Sequence, residues 1–498
     1  MSTEEYQHLF DTEHLKLDLK NKSIRGGLST MAGESISFIL RIVSLVVLAR
    51  LLMPEQFGLI AMITALTNFA LMFKDLGLST ATIQRKDINR EQVSTLFWIN
   101  VGFGTLIMFI VVALSPVIAW FYGEQRLVMI SVALSTSFFF SGLTVQHQAL
   151  LNRQMRFGRL ACVKILSITL SIIVGISLAL QGFEYWALVW KNVSITAFAA
   201  VGIWLMCRWW PGLPKRRPGV SAMLRFGRDI TGYNIINYFS RNLDKILIGR
   251  FWGAGPLGLY DKAYHLMLMP ISQLRFPINS VAISALSTLQ EEPDRYRRYY
   301  KKLISILSFI SMPLVMYLGI FSEDVIRLVL GENWIKAAPI FKILAITAFI
   351  QPVSSTCGMV MITCNKTKRY FMWGVMTAVC MISAFCIGVI WGPIGIATAY
   401  TVVNYSILIP SLWYSFRETP ISISLFFQAI SLPAFSSLLM GLLLTLISQK
   451  MTSLSIPVKI AFSLISAIIA YCGVYWLIPG GKQKIIEYCS YPLAVLKR

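Results

Sequence analysis

Apolar runs long enough to cross a lipid bilayer recur along this chain from end to end, and they leave very few folds open to it. Residues 423–448 and 456–478 each offer the ~20 apolar residues that a helix needs to span a ~30 Å hydrocarbon core. In oil a backbone amide has no water to bond, so each run must satisfy its own amides, as a helix does. Only 14% of the 498 residues are charged, 56% are hydrophobic and the mean hydropathy is +0.65, too apolar for a soluble globular protein of this length. The fold class is therefore an all-α polytopic membrane protein.

Reading the apolar runs between polar and glycine or proline breaks predicts about fourteen transmembrane helices. Their spans are 28–52, 58–83, 93–121, 126–151, 158–180, 185–209, 226–250, 257–288, 300–322, 337–364, 370–391, 394–416, 423–448 and 456–478. Polar residues interrupt the second, seventh and eighth.

Charge sets the expected orientation. Alternate connections are basic: Arg85, Lys86 and Arg90; Arg153, Arg156 and Arg159; Lys215, Arg216 and Arg217; Arg295 to Lys302; Lys366, Lys368 and Arg369; and Arg417. The connections between them (Met53–Phe57, Gly123–Gln125, Gln181–Glu184, Trp252–Pro256, Gly392 and Pro393) are short and nearly uncharged. Basic loops stay inside, so the basic set and both termini are expected in the cytoplasm. The same bias accounts for the net charge of +22, which would suggest nucleic acid only in a soluble chain; no nucleic-acid partner is expected. Residues 1–27 carry Glu4, Glu5, Asp11, Glu13 and Asp18 with no apolar run, which reads as a cytoplasmic extension and not a cleavable signal.

Catalytic signatures do not appear. There is no glycine-rich phosphate loop with its lysine, the four histidines are scattered, and the eight cysteines lie in or beside apolar segments without ligand spacing. The loops are too short for a soluble catalytic domain. The expectation is a protein that is not an enzyme, with no metal and no cofactor.

Two stretches 200 residues apart match in register. Ile36 to Arg41, Arg50, Gly58 and Leu59 recur as Ile236 to Arg241, Arg250, Gly258 and Leu259. An even number of helices separates the copies, so two six-helix lobes are expected to be related by a parallel repeat. The resulting division is an N-lobe over 28–210, a basic linker over 211–225, a C-lobe over 226–416, two extra C-terminal helices over 423–478 with a peripheral or lipid-facing role, and a cytoplasmic tail over 479–498.

Ionisable residues inside a bilayer are costly and usually face a cavity or each other. Here they concentrate in the first, second, seventh and eighth spans, which points to a polar, water-filled space lined by these helices. Arg41 and Arg241 sit near mid-helix, too deep to snorkel. They, with Arg275 and Lys245, are candidates for binding an anionic head group, because guanidinium forks suit phosphate oxygens. Pairing with Glu34 or Asp75 is the alternative for Arg41, and Asp244 with Lys245 can equally be a satisfied pair. Asp75, Asp229 and Asp244 are candidates for loading a coupling proton or sodium ion. Arg50, Gly58, Arg250 and Gly258 read as structural outer turns, His265 as a packing histidine, and Trp209-Trp210 as interfacial anchoring.

The stretch from Leu48 to Leu59, followed by Phe73 to Leu78 and Ile83 to Lys86, resembles polysaccharide exporters of the multidrug/oligosaccharidyl-lipid/polysaccharide flippase superfamily, of the colanic acid and O-antigen type. Tyr260 to Tyr264 and Phe276-Pro277 fit as well. The resemblance spans essentially the whole chain. It implies a cationic cavity, alternating access and a bacterial inner-membrane location. It also implies a polyprenyl-diphosphate-linked oligosaccharide as cargo, membrane lipids as surroundings, and polysaccharide polymerase and chain-length machinery as partners. The runner-up, a drug or metabolite antiporter of the same superfamily, predicts fewer spans and an acidic cavity. A membrane-embedded glycosyltransferase or polymerase predicts a long outer loop with catalytic acids.

Overall fold

Small residues decide how these helices meet, because between lipid-solvated helices close packing replaces the hydrophobic drive. The computed structural model describes residues 10, 19–71, 77–85, 88–214, 242–451, 455–478, 481–484 and 486. Among them there is no strand. Ten helices among the described residues are long and apolar enough to cross a membrane.

In chain order the helices are α1 (Leu19–Leu51), α2 (Pro54–Leu71), α3 (Leu78–Gln84), α4 (Arg90–Tyr122), α5 (Arg126–Arg153), α6 (Phe157–Leu180) and α7 (Tyr185–Cys207). Then come α8 (242–252), α9 (Ala254–Thr288), α10 (Pro293–Ile320), α11 (Ser322–Val329), α12 (Ala338–Ser354), α13 (Thr356–Thr363) and α14 (Thr367–Gly388). The last are α15 (Gly392–Ser406), α16 (Leu408–Phe416), α17 (Ile423–Lys450) and α18 (Ile456–Leu477). The span expected over 337–364 is broken at Ser355, just after Pro352, and that over 394–416 at Ile407. Most of the expected span 226–250 and the linker residues 215–225 lie outside the described residues.

The chain divides into two compact units, Met1–Gly258 and Leu259–Arg498. In the first, α1 packs on α6 through Gly26 against Phe157 and Gly33 against Ala161. The helices α4 and α5 meet where Gly104 faces the Phe138 carbonyl and Gly142 faces the Asn100 carbonyl. At the basic end Asn89 and Gln92 form a capping box for α4. A fully buried chain links three helices: Thr82 donates to Gln146 over 2.8 Å and Gln146 to Asn100 over 2.9 Å. Arg153, expected among the loop charges, is buried instead, and its guanidinium donates to the carbonyls of Thr82, Ile83, Arg85 and Phe10. It thereby satisfies the carbonyls that the short helix α3 leaves open at its C-terminus. Trp209 also departs from expectation. It is buried beside Phe97 and His147, while Trp210 stays exposed.

In the second unit α10 is central. Tyr296 and Tyr300, in its basic first turns, are fully buried and hydrogen-bond Thr363 and Thr356 at 2.7 and 2.8 Å. The expectation of peripheral C-terminal helices fails for α17. It buries Phe426, Ala429, Ile430, Ser436, Ser437, Met440 and Leu444, and its Gly441 admits Met316 and Ile320. Between α10 and α12 the amphipathic α11 carries Asp324, which meets Lys459 of α18 at 2.7 Å.

Candidate functional site

Helix α1 has three faces, and its two charges in the middle of the helix, Glu34 and Arg41, share one of them. Gly26, Gly33, Ser37 and Ser44 are buried. Leu28, Ile36, Ile39 and Val43 are exposed and apolar, as lipid contact requires. At 100° per residue, Ser23, Thr30, Glu34 and Arg41 fall within roughly 40° of one another, about 120° or more from that apolar set. A polar strip therefore runs beside the α6 contact.

Arg41 lies ten residues before the end of α1 at Leu51. That is about 15 Å of helix, half the thickness of a ~30 Å core. It is exposed, and no described residue holds its guanidinium in an ion pair or hydrogen bond. Glu34 does not pair with it. Glu34 instead accepts from Lys164 Nζ on α6, with both side chains partly exposed. The sequence reading missed Lys164, although it is the only charge inside the apolar run 163–180.

Arg275 and Lys245 are half-buried on α9 and α8, while Arg241 lies outside the described residues. Of the acidic candidates, Asp75 and Asp229 also lie outside them. Asp244 is 3% exposed, and its Oδ1 accepts from the Lys245 backbone amide at 2.8 Å. A buried carboxylate is a group that can take up and release a proton. A second buried carboxylate, Asp261, meets Lys262 at 2.8 Å and His265 at 3.6 Å. His265 is thus an exposed partner of Asp261 and not the packing histidine expected.

The repeated turns come together within the first unit. A Cβ on Gly58 would overlap the Ala254 carbonyl, and a Cβ on Gly258 would overlap the Pro54 carbonyl. Each glycine faces the residue four places before the other, the reciprocal contact made when two copies of one turn meet about a local two-fold axis. The turn after α4 braces both copies. Arg126 bonds Glu55 of one copy and Glu124 of its own turn, holding the Glu124 carboxyl below its usual range. Tyr122 donates to the Met62 carbonyl, and Arg250 of the other copy lies 5.8 Å from the Phe121 ring. Arg50 is exposed at the end of α1.

Comparison with known proteins bears on the family and the fold. A family model described as "Polysaccharide biosynthesis protein" matches residues 47–339. The chain is 27% identical to the lipopolysaccharide biosynthesis protein WzxC of Escherichia coli K12, covering 84% of this chain and 87% of that one. It is also 27% identical to the teichuronic acid biosynthesis protein TuaB of Bacillus subtilis 168, covering 84% and 88%. The lipid II flippase MurJ in an inward closed conformation has the same fold, with a TM-score of 0.72 at 16% identity, over 94% of this chain and 99% of that one.

Proposed function

This chain belongs to the polysaccharide biosynthesis protein family, and from that premise we propose that it is a flippase for polyprenyl-diphosphate-linked oligosaccharides used in surface polysaccharide synthesis. It works as a carrier and not as a catalyst. The basic connections face the cytoplasm, with the termini, and the membrane is the bacterial inner membrane.

One observation carries the reading: a charged strip on an otherwise lipid-compatible helix, with Arg41 at mid-depth. Moving a diphosphate and sugars through oil is opposed by their desolvation. An arginine whose donors point at the phosphate oxygens offsets that cost, and the lipid tail can stay in the bilayer meanwhile. Arg241 supplies the equivalent charge from the second copy of the repeat, with Arg275 and Lys245 as supporting cations. Cargo passes when the strip is exposed first to one side and then to the other. An ion gradient drives the cycle through a carboxylate among Asp244, Asp75 and Asp229. The relatives named for lipopolysaccharide and teichuronic acid synthesis, and the fold shared with a lipid II flippase, support this reading.

The test is complementation of a strain lacking the protein. Charge-assisted hydrogen bonds contribute roughly 1.5–3 kcal/mol each, so Arg41→Ala should cut export about tenfold or more and leave lipid-linked oligosaccharide to accumulate. Arg41→Lys should retain part of the activity. Full export by both Arg41→Ala and Arg241→Ala would overturn the assignment.

A further inference from the structure

We propose that Lys164 is a second head-group residue on the path of the cargo, and that Glu34 is a resident anion that holds it until the diphosphate arrives. The inference rests on the carrier function proposed above and adds a step to it.

Depth comes first. Lys164 is seven residues into α6, and Glu34 precedes Arg41 by seven residues on α1. Both offsets correspond to about 10 Å of helix, so the pair sits between the basic end and Arg41, inside the hydrocarbon zone. The helices run side by side in the same direction there, since Gly26 meets Phe157 and Gly33 meets Ala161. A head group entering from the basic end would reach Lys164 before Arg41.

Exposure comes second. The Glu34 side chain is 56% exposed and that of Lys164 is 35% exposed. Charges so exposed at this depth cannot face acyl chains, and Glu34 shares the strip of Arg41, Thr30 and Ser23, away from the apolar face of α1. They therefore face a wet space. In such a setting one ion pair contributes little to stability. The contact between α1 and α6 does not need it either, because the glycines already bring the backbones together. What the pair does provide is exchange. A diphosphate carries more negative charge than one carboxylate and can take Lys164 from Glu34. The released carboxylate then repels the cargo toward Arg41 and re-forms the pair when the cargo has gone.

This arrangement predicts opposite signs for the two members of one ion pair. The full-length protein, purified and placed in lipid nanodiscs, is titrated with a polyprenyl diphosphate, with the uncharged polyprenol as control. Glu34→Gln should tighten diphosphate binding about three- to tenfold, because the competitor is gone. Lys164→Gln should weaken it about tenfold, and Lys164→Arg should restore it. The double variant should bind more tightly than Lys164→Gln and less tightly than Glu34→Gln, since removing Glu34 also removes a charge that repels the diphosphate. If the pair is only a strap between helices, Glu34→Gln and Lys164→Gln will both lower the melting temperature and will shift binding together or not at all; that result overturns the inference. Binding that is lost in Arg41→Gln but unchanged in Lys164→Gln overturns it alone. Failure of the unaltered protein to bind the diphosphate in preference to the polyprenol overturns the carrier reading along with it.

Discussion

Arg153 shows what one side chain does from a buried position, where its guanidinium donates to the carbonyls of Thr82, Ile83, Arg85 and Phe10. Replacing it with methionine keeps the apolar stem but leaves buried carbonyls unsatisfied, at about 1–3 kcal/mol each. Arg153→Met should therefore lower the melting temperature in detergent markedly, and Arg153→Lys should rescue little, because a point charge cannot reach several acceptors as a fork does. In sequence Arg153 is indistinguishable from its neighbours Arg156 and Arg159, and its role depends on carbonyls 68 to 143 residues away. Glu124 makes a prediction of its own. Its folded pKa is depressed below the ordinary 4.5 by Arg126. Its contribution is thus present above that value and is lost as the pH falls through the lowered one. Melting curves of the unaltered protein should lose stability on the acid side more steeply than those of Glu124→Gln.

At the scale of elements, the meeting of the two turns is the feature that admits least change. A methyl group at Gly58 or Gly258 must displace a backbone carbonyl, which cannot rotate away as a side chain would. Gly58→Ala and Gly258→Ala should each destabilise by about 1–3 kcal/mol, and valine at either place should prevent normal packing. Both substitutions pry open one crossing, so the double variant should cost less than the sum, as a thermal-melt double-mutant cycle can measure. The repeat and its glycines were legible in the sequence as equivalent corners. That the corners touch each other was not, because register along the chain says nothing about distance in space. Helix positions were read well for a related reason. The span starts expected at 93, 126 and 158 fall within three residues of the observed helix starts at Arg90, Arg126 and Phe157, since a chain in oil most readily ends a helix where it reaches water. The breaks at Ser355 and Ile407 fall inside apolar runs, where no change of solvent announces them.

At the scale of the whole molecule, the two units differ in what completes them. The second unit's buried cluster joins Tyr296, Tyr300, Leu412 and Phe416 to Phe426, Ala429 and Ile430 of α17. A chain ending at Arg417 would expose that cluster and remove the partner of Asp324. It should fail to give a monodisperse species on size exclusion in detergent, whereas a chain shortened only beyond residue 486 should not. Sequence reading put α17 at the periphery because it carries little charge and lies outside the six-plus-six pattern. Absence of charge, though, is shared by helices that face lipid and helices that face each other. By itself the sequence determined the helical class, the run of apolar segments, the intramembrane charges at Glu34 and Arg41 and the repeat, because hydropathy, periodicity and identity are properties of neighbouring residues. Only the tertiary structure decided that Glu34 pairs with Lys164, that Arg153 is a buried clamp and that Gly58 and Gly258 meet, because each depends on which distant backbone or side chain comes within a few ångströms.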